Sequence, residues 1–477
     1  MAATDKISPE KMARLTTFLG SLPVGVSAKL FAVLEAGAAG GADDLPYGDM
    51  LATLRTNLQE AREAFPARRL SAQRLFFDPI EDFLIVARTG KKRRARIDRA
   101  TLSPLWALLS SEPSCAPAAR AAEALTKVLA RDDASPDEAA TAQEAMYAAA
   151  SGGLARVIDR AEREEVFRDS VVRRFGGPPA YHDVVEIGIA VDAARQLLAV
   201  QTVIEKEQSA LSDTDCADIV EIYKSANDEA PHASAYVLLC ATARLASPWR
   251  ALDLAFALSD AGDEACAEGA NVVVESIFEE LEDLVRGLEA EAAADFHAAQ
   301  AELRIAHFAD YANGVEEVAA ARGDNVVLSR LEACRDVAAG AMERFAEQSV
   351  AALRTAMPTR RSGGSSRLAA LRPDISKTVS PTLAREGFEA ADFLARANDV
   401  CMKIRRENAL TEITGEAATQ ARRYAEDLVR EIRAAEGEER AAARRMMDQT
   451  LKILAPLVAE DEIGLIRDRA SAAALSA

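Results

Sequence analysis

Apolar residues recur at three- and four-residue intervals along most of the chain. Val185, Ile189, Ala193 and Leu197 follow one another every four positions. Ile277, Leu281, Leu284, Val285 and Leu288 keep the same rhythm, which leaves Glu279, Glu280, Glu282 and Asp283 for the solvent side. That period places one apolar stripe along a helix. The pattern predicts an all-α fold of multi-helix bundles built from long amphipathic helices, with one such helix over Glu268 to Arg304.

Ser-Pro pairs punctuate these stretches at Ser8-Pro9, Ser103-Pro104, Ser135-Pro136, Ser247-Pro248 and Ser380-Pro381. A serine at the N-cap accepts from an orphan backbone N–H, and a proline in the first turn loses no helical hydrogen bond. Ser135 to Glu138 also has the letters of a capping box. Strand-like alternation is nearly absent. The exception is Phe83 to Val86 followed by Arg93 to Ile97, which predicts a short β-hairpin around Gly90 or an ordered loop there.

Charge divides the chain. Of its 477 residues, 57 are Lys or Arg and 76 are Asp or Glu, a net charge of −19. Residues 1–110 are mildly basic at +4, and residues 111–355 carry −24. Thr359 to Arg367 lacks an apolar anchor and reads as a flexible linker. The expected organisation is an N-terminal helical domain over 1–110, an acidic helical body over 111–355, a linker over 356–375 and a C-terminal hairpin or bundle over 376–477.

Several functions lose support at this level. No apolar run reaches 18 residues without a charge, and the best candidate, Ala233 to Trp249, is interrupted by Arg244. Lys6, Lys11 and Arg14 precede Leu15 to Val26, but Asp5, Glu10 and Pro23 make this an amphipathic helix rather than an export leader. The six cysteines form no CxxC pair, so buried, reduced thiols are expected. Neither a phosphate-binding GxxxxGK[ST] nor GxSxG nor HExxH occurs. His182, His232, His297 and His307 have no metal-ligand spacing, and no cofactor is expected.

The most distinctive chemistry is cationic. Arg88, Lys91, Lys92, Arg93, Arg94, Arg96 and Arg99 crowd one short segment, opposed only by Asp98. Such a segment suits an anionic partner, or acidic residues of the protein itself. No aromatic residue interrupts it, so base stacking is not suggested. Arg360, Arg361, Arg367 and Arg372 form a second basic run in the expected linker. Trp106 and Trp249 follow Ser-Pro caps, where they serve as core residues or as anchors for a partner.

Leu22-Pro23, Leu45-Pro46, Leu54-Arg55, Arg74 to Pro79 and Ser103 to Trp106 resemble a group of uncharacterised, mostly helical proteobacterial proteins, and Ser247 to Trp249 is similar too. The resemblance implies a bacterial, helical, cytoplasmic protein and brings no activity. Taken together, the residues predict a non-enzymatic cytoplasmic scaffold or adaptor that works through helical surfaces and self-associates. Two alternatives are a binder of nucleic acid or another anionic surface through 88–99, and an enzyme or ligand carrier with a pocket between helices near His182 or His232.

Overall fold

The structure is a computed structural model. It describes residues 9–20, positions 22, 26, 27, 30, 31, 34, 50, 51 and 53–55, and residues 71–475 apart from 87, 89, 90, 132, 295, 296, 362–370, 407 and 408.

The fold is all-α. In chain order come α1 (Pro9–Gly20), α2 (Ala72–Phe77), the strands β1 (Leu84–Ile85) and β2 (Ile97–Asp98), α3 (Leu102–Ser111), α4 (Ala116–Leu129) and α5 (Pro136–Arg163). Then follow α6 (Glu165–Arg174), α7 (Pro178–Ala190), α8 (Ala194–Val203), α9 (Asp213–Glu229), α10 (Ser234–Ala243) and α11 (Leu252–Ala261). Three long helices come next, α12 (Glu264–Ala292), α13 (Ala298–Arg322) and α14 (Asn325–Ala356). The chain closes with β3 (Thr359–Arg361), β4 (Leu371–Pro373), α15 (Pro381–Lys403), α16 (Thr411–Ala434), α17 (Gly437–Leu454) and α18 (Glu460–Leu475). No helix among the described residues is long and apolar enough to cross a membrane.

The caps follow the sequence. Glu138 N–H donates to Ser135 Oγ (3.1 Å) and Ser135 N–H donates to the Glu138 carboxylate (3.4 Å), a closed capping box at the start of α5. Ser380 caps α15 by accepting from Leu383 N–H. Ser103 and Pro104 instead lie just inside α3, which begins at Leu102. Ser247 precedes a 3-10 turn, Pro248–Ala251, without a side-chain cap bond. The single helix expected over Glu268 to Arg304 is two helices, one ending at Ala292 and the next beginning at Ala298.

Two compact units emerge, residues 1–78 with 109–149, and residues 79–108 with 150–477. The first unit packs Leu19, Leu34, Met50 and Leu54 together, with Leu15, Leu22, Leu30, Phe31 and Leu51 around them. There, the Tyr147 hydroxyl donates to the Leu75 carbonyl (2.6 Å) beside the Phe76 ring. The second unit centres on long helices whose Phe278, Phe308, Phe345 and Phe393 are fully buried. Burial of each such ring stabilises by roughly 1.5–3 kcal/mol.

This division differs from the boundaries expected near 110 and 356–375. Residues 79–108 group with residues 150–477, where Arg88, Lys92, Arg93 and Arg96 find their carboxylates. The expected linker is ordered at both ends, where β3 and β4 pair antiparallel with Thr359 opposite Pro373. Its middle, including Arg367, lies outside the described residues. α14 and α15, on either side of it, lie so close that a Cβ on Gly387 would come 2.4 Å from the Ala356 Cβ. The Phe345 and Phe393 rings meet edge to face, with centroids 6.3 Å apart.

The hairpin expected near Gly90 is not formed. β1 and β2 pair in parallel, Leu84 with Ile97 and Ile85 with Asp98. A tight turn joins antiparallel strands only, so the parallel pairing is incompatible with a hairpin. Gly90 itself lies outside the described residues.

Candidate functional site

The basic segment is anchored by apolar side chains and then neutralised by acidic ones. Ile80, Phe83 and Ile97 are buried on either side of it. Ala95 takes a left-handed conformation (φ 56°), which turns the chain before β2. Asp98 caps the following 3-10 turn by accepting from Ala100 N–H (2.9 Å).

On α7, Asp183 and Glu186 stand three residues apart and therefore share a face. Both are buried. Asp183 accepts from Arg88 Nη2 through both oxygens (2.6 and 2.5 Å), and from Asp98 N–H (3.1 Å) and the Thr101 hydroxyl (3.2 Å). Lys92 Nζ lies 2.9 Å from Asp183 and also bonds Glu186. Glu186 accepts in addition from Ala95 N–H (2.5 Å). A buried carboxylate costs several kcal/mol to desolvate, and only a full set of donors offsets that. Asp183 has such a set.

α12 repeats the arrangement. Glu280 and Asp283, again three apart, take Arg93 at 2.8 and 2.5 Å, and Glu280 takes Arg96 at 2.9 Å. The helical period assigns these two carboxylates to solvent. They are part-buried instead, because the basic segment lies against their face of α12. Glu279 is exposed as expected, and Glu282 pairs with Arg330 (3.0 Å). Arg99 meets Glu81 (2.7 Å) on the surface.

Of the seven candidate cations, Arg88, Lys92, Arg93, Arg96 and Arg99 are thus bound to carboxylates of the same chain. The Arg94 guanidinium lies over the Tyr236 ring, 5.2 Å from its centroid, and has no carboxylate among the described residues. Lys91 is exposed. Burial, with Glu186 close by, pushes the Tyr236 hydroxyl up to about 12.

A cleft of about 200 Å³ opens beside the segment. Asp82, Arg94, Arg96, Ser276, Glu280 and Tyr311 supply polar walls, and Leu239 and Pro248 supply apolar ones. Asp82 is held from behind by Arg244 Nη1 (2.8 Å) and Gln201 Nε2 (3.0 Å), and its side chain is only 3 % exposed. Arg244 also donates to the Ile204 carbonyl (2.6 Å). Burial raises the Cys240 thiol well above its ordinary value, with Asp82 adding to the effect.

The two tryptophans occupy different settings. Trp106 is half-buried on α3. Trp249 packs edge to face on Tyr311 (5.2 Å) and fills the space where a Cβ on Gly314 would stand, 2.2 Å from its Nε1. The indole is therefore used within the chain, as a wedge between its 3-10 turn and α13. The second basic run is also engaged, since Arg360 and Arg372 both approach Glu431 of α16 (3.3 and 3.7 Å). Arg361 is exposed.

All four histidines are exposed, and none lines the cleft. His232 pairs with Asp192 (2.7 Å). Among the described residues, no three His, Cys, Asp or Glu side chains converge as metal ligands. All six cysteines are free and buried.

Glu186, Asp82 and Gly314 were not singled out by sequence, and Arg244 entered only as the charge that interrupts an apolar run. A signal existed for Asp183 and Glu186, since they interrupt the apolar run Val184, Val185, Ile187, Ile189 at a helical interval. Compared with known protein families, curated proteins and solved structures, the chain finds no match.

Proposed function

We propose that this protein is a non-enzymatic helical adaptor, acting in the cytoplasm through the acidic faces of its long helices. The observation that carries this reading is the internal use of the basic segment. Its cations are held by Asp183, Glu186, Glu280, Asp283 and Glu81. With five of the segment's seven cations paired within the chain, the acidic excess lies on the rest of the surface. The partner this favours is a protein with a basic face, and a second copy is favoured only where its exposed cations meet those acids. The same pairing weighs against an anionic partner, because docking one on 88–99 would strip buried carboxylates of their donors. Six free, buried thiols support a reducing compartment.

The test is capture on the tagged full-length chain, followed by a salt series. A stoichiometric basic protein should be retained at low salt. It should be released as the screening length falls from about 10 Å at 0.1 M to about 3 Å at 1 M salt. Recovery of the chain alone and monomeric at low salt overturns the proposal.

A further inference from the structure

We infer that the cleft between the basic segment, α10, α12 and α13 is a binding site for a small organic monoanion, a carboxylate on a body of a few carbon atoms. Of the two carboxylates that line the cleft, Asp82 is paired with Arg244, and Glu280 with Arg93 and Arg96. Every carboxylate there has its cation, and one cation, Arg94, is left over. A single negative charge in the cleft gives Arg94 its partner.

The geometry favours a carboxylate as its carrier. Arg94 lies over the Tyr236 ring, and its planar donor fork stands at the cleft wall. A guanidinium fork matches the two oxygens of a carboxylate. The Ser276 hydroxyl lines the same space and has no hydrogen-bond partner among the described residues. The Tyr311 hydroxyl donates only a long bond to the Ile277 carbonyl (3.3 Å). Leu239, Ala243 and Pro248 line the cleft as well and offer no charge. These walls suit a carbon body rather than a fully hydrated inorganic ion. A cavity of about 150 Å³ accommodates benzene, so about 200 Å³ admits a molecule of roughly six to nine non-hydrogen atoms.

The inference is independent of the adaptor reading, since it concerns a concave site and a small molecule. Its test is ligand-observed NMR on the full-length chain with pyruvate, lactate, benzoate and succinate, and with inorganic phosphate as the carbon-free arm. At least one monocarboxylate should bind saturably at about 10 mM or tighter, with succinate weaker. Arg94→Gln removes the unmatched charge without touching a salt bridge, and it should raise Kd at least about tenfold. Ser276→Ala should weaken the same ligand by a smaller factor. A circular dichroism melt of each variant shows that it is folded. Failure of every carboxylate to bind overturns the inference, as does binding that Arg94→Gln leaves unchanged. Binding of phosphate alone also overturns the assigned ligand class.

Discussion

Arg88 places one guanidinium nitrogen against both oxygens of Asp183, at 2.6 and 2.5 Å, and Asp183 has no solvent exposure. Ninety-five residues separate the two. The contact therefore fixes a largely irregular segment onto a helix that the chain reaches only later. Lys92, Asp98 and Thr101 meet the same carboxylate. Removing it by Asp183→Ala leaves two cations part-buried without their shared anion. The unfolding free energy of the second unit should fall by about 3–5 kcal/mol, read from denaturant midpoints at constant slope. Asp183→Asn keeps the volume and should still lose most of that.

The cations of the segment should not be interchangeable. Arg93 reaches two carboxylates on α12, whereas Lys91 is exposed and reaches none among the described residues. Arg93→Glu should destabilise by about 1–3 kcal/mol, since it sets three carboxylates face to face. Lys91→Glu should stay within about 0.5 kcal/mol of the parent. Equal effects would mean that the internal pairing is not what holds the segment.

Gly314 should tolerate no side chain. A Cβ there lands 2.2 Å from Trp249 Nε1, and the indole is already braced on Tyr311. Gly314→Ala should cost about 1–3 kcal/mol by overpacking and shift the emission of Trp249. Gly340 is the control. It sits inside α14 with nothing within 4 Å of its Cβ position, so Gly340→Ala should stabilise by about 0.5–1 kcal/mol.

Stability should fall in alkali. Burial raises the thiols of Cys216, Cys266 and Cys401 from 9.0 to about 11. Between those values the unfolded chain releases protons that the folded chain retains. The contribution is thus complete below pH 9 and lost as pH rises from 9 to 11. Urea midpoints at both ends of that window test it. Replacing Cys216 with alanine should flatten the dependence.

The helical class and several helix starts were legible because they depend on neighbours a few residues apart. The Ser135 capping box and the Ser380 cap are closed within four residues. The break at 293–297 carried no Gly or Pro to announce it. The parallel pairing of Leu84 with Ile97, and the burial of Glu280 and Asp283, depend on which distant surfaces meet. The basic segment was visible as a composition, and an acidic counterpart within the protein was one of its readings. Its identity as Asp183, Glu186, Glu280 and Asp283 was hidden by separations of 90 residues or more. The run at 359–373 read as a linker because its anchors, Glu431 and the Tyr424 hydroxyl on the Pro358 carbonyl, lie far along the chain.

The central claim is that the basic segment is a staple of the fold rather than a free docking surface. A double-mutant cycle on Arg88→Met and Asp183→Asn measures this directly. The account predicts strong non-additivity, with a coupling of about 1–3 kcal/mol, because the double variant removes both buried charges that each single variant leaves mismatched. Effects that add to within about 0.5 kcal/mol would contradict it.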